Sequence, residues 1–213
     1  LGRASRDADL PLSFGQQRLW FLDQLEPGLV SYNTPVVVRL EGELDVAALR
    51  LAIDEIVRRH EVLRTTFAVR GGSPVQVIAP HARGSDRDVS LPVVDLSGIP
   101  PEQRLEEALR LARDDIRHPF NLARGPVLRT TLFRLGDADH VLAFTVHHIA
   151  ADGVSLGVLI NETAALYAAF AEGRPSPLPE MSLQYADYAV WQRSQMTGLD
   201  AQVAYWKEQL AGL

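Results

Sequence analysis

Residues 140–170 read HVLAFTVHHIAADGVSLGVLINETAALYAAF, and this stretch decides the fold. Between the flanking histidines, its first part is apolar at every position except Thr145. Side chains alternate along a strand, so the two faces carry Val141, Ala143 and Thr145, and Leu142, Phe144 and Val146. Apolar side chains on both faces are typical of a central strand that is covered on both sides. The stretch therefore predicts a buried strand, a tight turn and a long helix.

Two adjacent histidines close this strand, and the turn that follows contains a carboxylate and a glycine. They are His147, His148, Asp152 and Gly153. Burying an imidazole without a partner is costly, so these groups need either hydrogen bonds or a function. The alternation sends the two rings to opposite faces, and only one of them can serve a given cavity. The spacing alone leaves open which ring that is, and whether it is catalytic or structural.

The remaining patterns predict helices mixed with strands. Capping residues and periodicity predict helices after Ser13, from Asp45 to His60, from Pro101, from Ser155 to Glu172, and after Ser182 and Asp200. Alternating and β-branched runs predict strands at Asn33–Leu40, Leu63–Val69, Pro74–Ile78, Leu91–Asp95, Val127–Leu135 and His140–His148. A polar surface loop is expected at 80–88. Because helices and strands do not alternate strictly, the expected class is a mixed α/β (α+β) fold.

Composition excludes several classes of function. The 213 residues are 46% hydrophobic and 23% charged, with a net charge of −6 and no cysteine. The lack of cysteine excludes disulfides, thiolate nucleophiles and cysteine-ligated zinc. The acidic charge argues against a nucleic-acid partner, because phosphate binding needs clustered basic residues. No apolar run approaches the ~20 residues that span a bilayer, so no membrane partner is expected. The lack of cysteine is compatible with the cytoplasm, which is the expected location. We also expect no metal, since adjacent strand residues diverge.

Four segments resemble motifs of one known family. HHIAADG at His147–Gly153 matches the HHxxxDG pattern of the condensation domains of nonribosomal peptide synthetases. LPLSFGQQRLWFLDQLEPG at Leu10–Gly28 and RHEVLRTTF at Arg59–Phe67 resemble the first two motifs of that family, and HPFNLARGPVLR at His118–Arg129 resembles another. The first and third motifs are closest to the subtype that condenses an L-donor with an L-acceptor. The four segments occur in the family's order along the chain.

The resemblance implies a fold like chloramphenicol acetyltransferase, in which two similar lobes, each with a mixed sheet flanked by helices, enclose a tunnel. It makes His148 the catalytic residue facing the tunnel and gives His147 a supporting role. It also places Arg64 opposite Asp152, for which we expect a structural role. Our own hypothesis is that the Gly153 N–H, near the helix N-terminus, can face a developing oxyanion. In that picture residues 1–9 are a lead-in, 10–179 form the N-terminal lobe, and 180–213 lead towards a C-terminal lobe, so we expect the chain to be cut from a longer polypeptide.

The implied reaction is amide formation between a donor thioester and an acceptor amine, an acyl transfer. Both substrates would be carried on phosphopantetheine arms of peptidyl carrier proteins, with no cofactor bound directly and an adenylation domain as neighbour. A histidine with a pKa near ~6.5 suits either removal of the proton from the amine or orientation of the amine. A non-catalytic docking fragment is the main alternative. An acyltransferase that uses coenzyme A is disfavoured by the flanking motifs, and an epimerase of the superfamily usually has a different first motif.

Overall fold

The computed structural model describes residues 1–81, 89–195 and 200–212. The strands are β1 (Leu10–Pro11), β2 (Asn33–Glu41), β3 (Thr65–Arg70), β4 (Ser73–Ile78), β5 (Val93–Asp95), β6 (Leu128–Gly136) and β7 (Asp139–His147). The helices are α1 (Phe14–Leu25), α2 (Val46–Arg59), α3 (Pro101–Ile116), α4 (Gly153–Ala171), α5 (Tyr185–Ser194) and α6 (Asp200–Gln209). One turn of 3₁₀ helix, Glu61–Arg64, precedes β3.

Four strands form the main sheet in the order β2-β7-β6-β5. β7 pairs antiparallel with β2 and β6, whereas β5 joins β6 in parallel. Every residue of β7 after its first is buried. β1, β4 and β3 form a second, antiparallel sheet with β4 in the middle. The structure therefore confirms the mixed α/β class, the mixed sheet and the central position of β7.

Helices cover both faces of the main sheet. On one face, Leu142, Phe144 and Val146 pack in a single cluster with apolar residues of α2 and α4. On the other face, Val141 and Ala143 pack with residues of α3. Burial of apolar side chains on both faces is the main stabilising contribution of such a layered core. The division of β7 into two apolar faces is confirmed.

Three of the six predicted helix starts are confirmed and two are wrong, while α6 begins at Asp200 itself rather than after it. Ser13 and Asp45 cap α1 and α2, and Pro101 is the first residue of α3. The cap of α4 is Asp152 and not Ser155, because the Asp152 carboxylate accepts from the Ser155 N–H and the helix begins three residues early. For α5 the cap is Gln184 instead of Ser182, in a reciprocal pair with Asp187.

Some strand limits also differ from the prediction. Leu63 and Arg64 belong to the 3₁₀ turn, so β3 begins at Thr65. β5 has only three residues and begins at Val93. β7 ends at His147, which places His148 in the turn beyond the strand. Most of the predicted loop at 80–88 lies outside the described residues.

Helix α4 has an unusually apolar composition. It is 19 residues long with a mean hydropathy of 1.4 over its most apolar window, which is enough by length and composition alone to cross a membrane. Its Leu156, Leu159 and Leu166, however, lie in the cluster between α2 and the sheet. Glu162 on the same helix accepts hydrogen bonds from Arg59 and His60. These contacts are those of a core helix.

We expect the covered face of α2 to be sensitive to truncation. Leu49 is 3% exposed and lies in the cluster with α4, whereas Leu51 on the same helix is 40% exposed. Leu49→Ala should lower the free energy of unfolding by about 2–5 kcal/mol, because it removes buried methyl groups and leaves a cavity. Leu51→Ala is the matched control and should change it by less than about 0.5 kcal/mol. Urea unfolding followed by circular dichroism measures both, and equal losses would contradict the assigned packing.

Candidate active site

The two histidines lie where the central strand meets the start of β2 and of α4. His147 is the last residue of β7 and is paired in register with Asn33 at the start of β2. The His148 N–H donates to the Tyr32 carbonyl at 2.8 Å. The turn 149–152 then leads into α4. Pairing of the strand on both sides therefore fixes the backbone up to the point where the chain leaves the sheet.

His147 is a packed residue. It is 2% exposed, and its Nδ1 accepts a hydrogen bond from the Ile149 N–H at 3.1 Å. The Phe120 ring stands edge-on to the imidazole, with ring centroids 6.0 Å apart. Burial, with a smaller contribution from the neighbouring His148, lowers the pKa of His147 to about 4. The ring is therefore neutral at physiological pH, and its Nδ1 lone pair is used to hold the turn.

His148 has the opposite environment. Its side chain is exposed, and its Nδ1 lies 2.7 Å from the Ala151 carbonyl oxygen. A carbonyl can only accept a hydrogen bond, so Nδ1 must carry the proton in this contact. In the neutral ring the lone pair is then on Nε2. The backbone of the turn thus sets the tautomer in which an exposed nitrogen can accept a proton or a hydrogen bond.

Asp152 and Gly153 form the start of α4. The Asp152 carboxylate accepts from the Ser155 N–H at 2.9 Å and from the Ser155 hydroxyl at 2.6 Å. These bonds lower the pKa of Asp152, the hydroxyl contributing most. Gly153 is the first helical residue, so its N–H is one of the four that have no acceptor within the helix. A partial positive charge at this end favours an oxyanion nearby.

The predicted pair between Asp152 and Arg64 is wrong. Arg64 donates to the Ala79 carbonyl, and its Nη2 lies 3.9 Å from Oε1 of Glu61. Burial lowers the pKa of Arg64 against the opposing effect of Glu61. The carboxylate of Asp152 has no need of a cation, because the helix start and the Ser155 hydroxyl already donate to it. Of the predicted site residues, His147, His148, Asp152 and Gly153 lie together, and Arg64 belongs to a different cluster.

Three contacts of the site involve residues that the sequence did not single out as site residues. The carbonyls of Tyr32 and Ala151 accept from the backbone and ring of His148, and Phe120 packs on His147. Backbone acceptors leave no mark in the sequence. Phe120 does have a signal, because it lies in the resembling segment HPFNLARGPVLR.

A cavity of about 240 Å³ adjoins the turn. Its lining includes Ala150, Ala151 and Ser155 of the turn and the start of α4, together with Met181, Gln184 and Tyr185. A larger cavity of about 360 Å³ lies between β2 and α4, and none of the four site residues that lie together lines it. Across the described ranges, no three His, Asp or Glu side chains are grouped as a metal site would require.

Removing the cap of α4 should cost a modest amount of stability. Asp152→Ala should lower the free energy of unfolding by about 1 kcal/mol, because it removes the acceptor for the Ser155 N–H. Asp152→Asn keeps a capping oxygen and should lose much less. Urea unfolding of both variants tests this. A loss of about 3–5 kcal/mol for Asp152→Ala would instead indicate a broken buried ion pair and contradict the assigned role.

His147 should make stability depend on pH in a defined window. Unfolded histidine titrates near ~6.5, so the unfolded state gains a proton below that pH while the folded state, with a pKa of about 4, does not. The contribution of the neutral ring to the free energy of unfolding is fully present above pH ~6.5. It is lost as the pH falls towards 4, by about 3 kcal/mol in total. The difference in unfolding free energy between the wild type and His147→Gln should therefore shrink over this range. A constant difference would refute the assignment, and the exposed His118→Gln serves as control.

Comparison with known proteins identifies the family. The family model described as "Condensation domain" matches residues 7–213. The chain is 50% identical over 210 residues to a linear gramicidin synthase protein of Brevibacillus parabrevis, covering 98% of the chain and 4% of that protein. It is 42% identical over 212 residues to the phosphinothricin tripeptide synthetase PhsC of Streptomyces viridochromogenes, covering 99% of the chain and 19% of that protein.

Solved structures agree with the sequence relatives. In a complex of the X-domain and OxyB from teicoplanin biosynthesis, the matching chain has a TM-score of 0.87 at 32% identity, covering all of this chain and 45% of that one. The first condensation domain of the calcium-dependent antibiotic synthetase, with a substrate analogue, has a TM-score of 0.82 at 28% identity, covering 95% of this chain and 47% of that one. The chain thus spans just under half of these structures. It belongs to the condensation-domain family of nonribosomal peptide synthetases.

Proposed function

We propose that this chain is the histidine-bearing part of a condensation domain that forms an amide bond between carrier-bound substrates. The observation that carries the proposal is the geometry of His148. Its ring is exposed, and its Nδ1 is committed to the Ala151 carbonyl, which leaves Nε2 as the acceptor. The chain matches relatives that are much longer, so the proposed activity is that of the complete domain.

The reaction begins with attack of the acceptor α-amine on the carbonyl carbon of the donor thioester. The C–N bond forms and the carbonyl oxygen takes negative charge. Collapse of this intermediate breaks the C–S bond, and the departing thiolate takes up a proton to become the free thiol of the donor arm. The amine loses one proton in the process, and His148 Nε2 accepts it or orients the amine by a hydrogen bond. The Gly153 N–H, at the start of α4, is our candidate donor to the oxyanion.

The wider assignments rest on the family. We assign donor and acceptor peptidyl carrier proteins with phosphopantetheine arms, an adjacent adenylation domain and a cytoplasmic location, supported by relatives that are peptide synthetases. No directly bound cofactor, metal, membrane or nucleic acid is part of the proposal. The motif wording supports L-configured donor and acceptor. We retain residues 1–9 as lead-in, 10–179 as the N-terminal lobe and 180–213 as the connection to the second lobe.

A partner-binding role is the second candidate, because one structural neighbour is an X-domain solved in complex with OxyB. Such a role needs a surface and no reactive imidazole. The exposed His148, held in one tautomer by the turn, favours catalysis. The two candidates differ in what a His148 variant should lose: catalysis in the first case and nothing in the second.

The complete domain, with donor and acceptor carriers loaded, provides the test. His148→Ala should lower the rate of amide formation by about 10²–10⁴-fold if the ring accepts the proton. His148→Gln can form a hydrogen bond but cannot take up a proton, so a much smaller loss in this variant would assign the ring to orientation of the amine. Product is measured by mass spectrometry of the acceptor carrier.

The matched control is His81→Gln, since that imidazole contacts Asp54 and is not among the residues of the site. It should keep the wild-type rate. All three variants should keep the wild-type melting temperature, which separates catalysis from folding. A wild-type rate in His148→Ala would overturn the proposed function.

A further inference from the structure

A third cavity, with a polar lining, lies between the N-terminal residues, the 3₁₀ turn and the start of α5. Its volume is about 300 Å³. Five arginines line it, and they come from three separate parts of the chain: Arg3, Arg6, Arg58, Arg59 and Arg64. Neither histidine of the candidate active site is among the residues that line it.

The arginines of this cavity are matched in number by nearby carboxylates. Glu61, Glu180 and Asp187 line it. Glu55 also pairs with Arg58 at 2.7 Å and Glu162 with Arg59 at 3.5 Å, so five carboxylates accompany the five arginines. Arg6 contacts Glu61 and Asp187 at 2.8 and 2.7 Å. Within the described residues, Arg3 donates to two backbone carbonyls, those of Ser182 and Met181. What the cavity offers an anion is therefore its unused N–H groups and not an excess of charge.

Two of the arginines carry buried N–H groups that have no acceptor. The Arg59 side chain is 3% exposed, and its single carboxylate contact is from Nε to Glu162 at 3.5 Å. Its Nη1 is buried and has no hydrogen-bond partner within the described part of the chain, and the same holds for Nε of Arg64. A buried donor on a charged group is costly when it lacks an acceptor, and a bound anion would supply one.

We infer that this cavity is a binding site for a phosphate group. The unused donors belong to different arginines, so the ligand must offer several acceptor oxygens in different directions. A phosphate has three or more such oxygens, which suits donors on separate guanidinium groups. A carboxylate has a single charge and a planar pair of oxygens, and it suits one guanidinium fork.

The cavity has room for more than the phosphate itself. Met181 and Gln184 line this cavity and also the apolar cavity beside Ala150 and Ala151, so the two cavities are adjacent. The phosphate can therefore be free inorganic phosphate or the end group of a larger molecule, such as phosphopantetheine. Only the second source rests on the proposed function, and the site itself is independent of it.

Titration of the full chain tests the site. Inorganic phosphate should bind and raise the melting temperature relative to chloride at equal ionic strength. Arg59→Met and Arg64→Met should each weaken binding by at least about 10-fold, because each removes a buried donor. Arg174→Met is the matched control, since Arg174 pairs with Glu172 and does not line the cavity, and it should bind phosphate as the wild type does.

A fourth variant keeps the test valid if Arg59→Met or Arg64→Met fails to fold. Arg3 is exposed and donates to backbone carbonyls, so Arg3→Ala should fold and weaken phosphate binding several-fold. Phosphate also stabilises proteins by exclusion from their surface. An equal gain in melting temperature in the wild type and all arginine variants would therefore overturn the site, as would no preference for phosphate over chloride.

Two further measurements distinguish free phosphate from phosphopantetheine as the ligand, and failure of the site from failure of the proposed function. Tighter binding of phosphopantetheine than of inorganic phosphate would identify the ligand as the larger molecule, and equal binding would identify the free anion. His148→Ala should bind phosphate as the wild type does, since His148 does not line the cavity. Loss of phosphate binding in the arginine variants, together with an inactive complete domain, would support the site and refute only the proposed function.

Discussion

The structure depends on the burial of β7 on both faces and along both edges. Pairing with β2 and β6 fixes the backbone of this strand, and the helices on either side remove its side chains from water. Strand alternation then leaves the last residue, His147, inside the protein. The next residue is the first that is free of the sheet, and its ring is exposed. The position of the candidate catalytic ring is therefore a consequence of where a fully covered strand ends.

The two adjacent imidazoles illustrate how environment divides the work between identical side chains. His147 loses its solvation, stays neutral and uses its Nδ1 lone pair to hold the Ile149 N–H. His148 keeps its solvation and donates from Nδ1 to the Ala151 carbonyl. The same turn thus contributes a donor to one ring and an acceptor to the other. A ring that is exposed and fixed in one tautomer needs no further residue to orient it, which explains why Asp152 is free to cap α4.

The sequence predicted the parts of this arrangement that depend on local pattern. Alternation in β7 and the caps at Ser13 and Asp45 are local properties, and the structure confirms them. The pairing of Arg64 with Asp152 was wrong because the choice of partner for a charge depends on tertiary distances. Serine is a common capping residue, so the sequence predicts a cap at Ser155, whereas the actual cap, Asp152, accepts hydrogen bonds from that serine. The role of the Ala151 carbonyl could not be predicted, because every residue has a backbone carbonyl and the sequence does not mark the one that contacts a ring.

Exposure of His148 has a cost as well as a use. In water, the hydrogen bonds and charges that stabilise a tetrahedral intermediate are weak, whereas they strengthen when the site is enclosed and water is excluded. Under the proposed function, the described residues supply the candidate catalytic ring and the helix start, but they leave the ring open to solvent. Under the proposed function, the rest of the domain must therefore contribute the enclosing wall. Catalysis should then depend on the second half of the domain through solvent exclusion, even though the reacting imidazole and its orientation are complete in this chain.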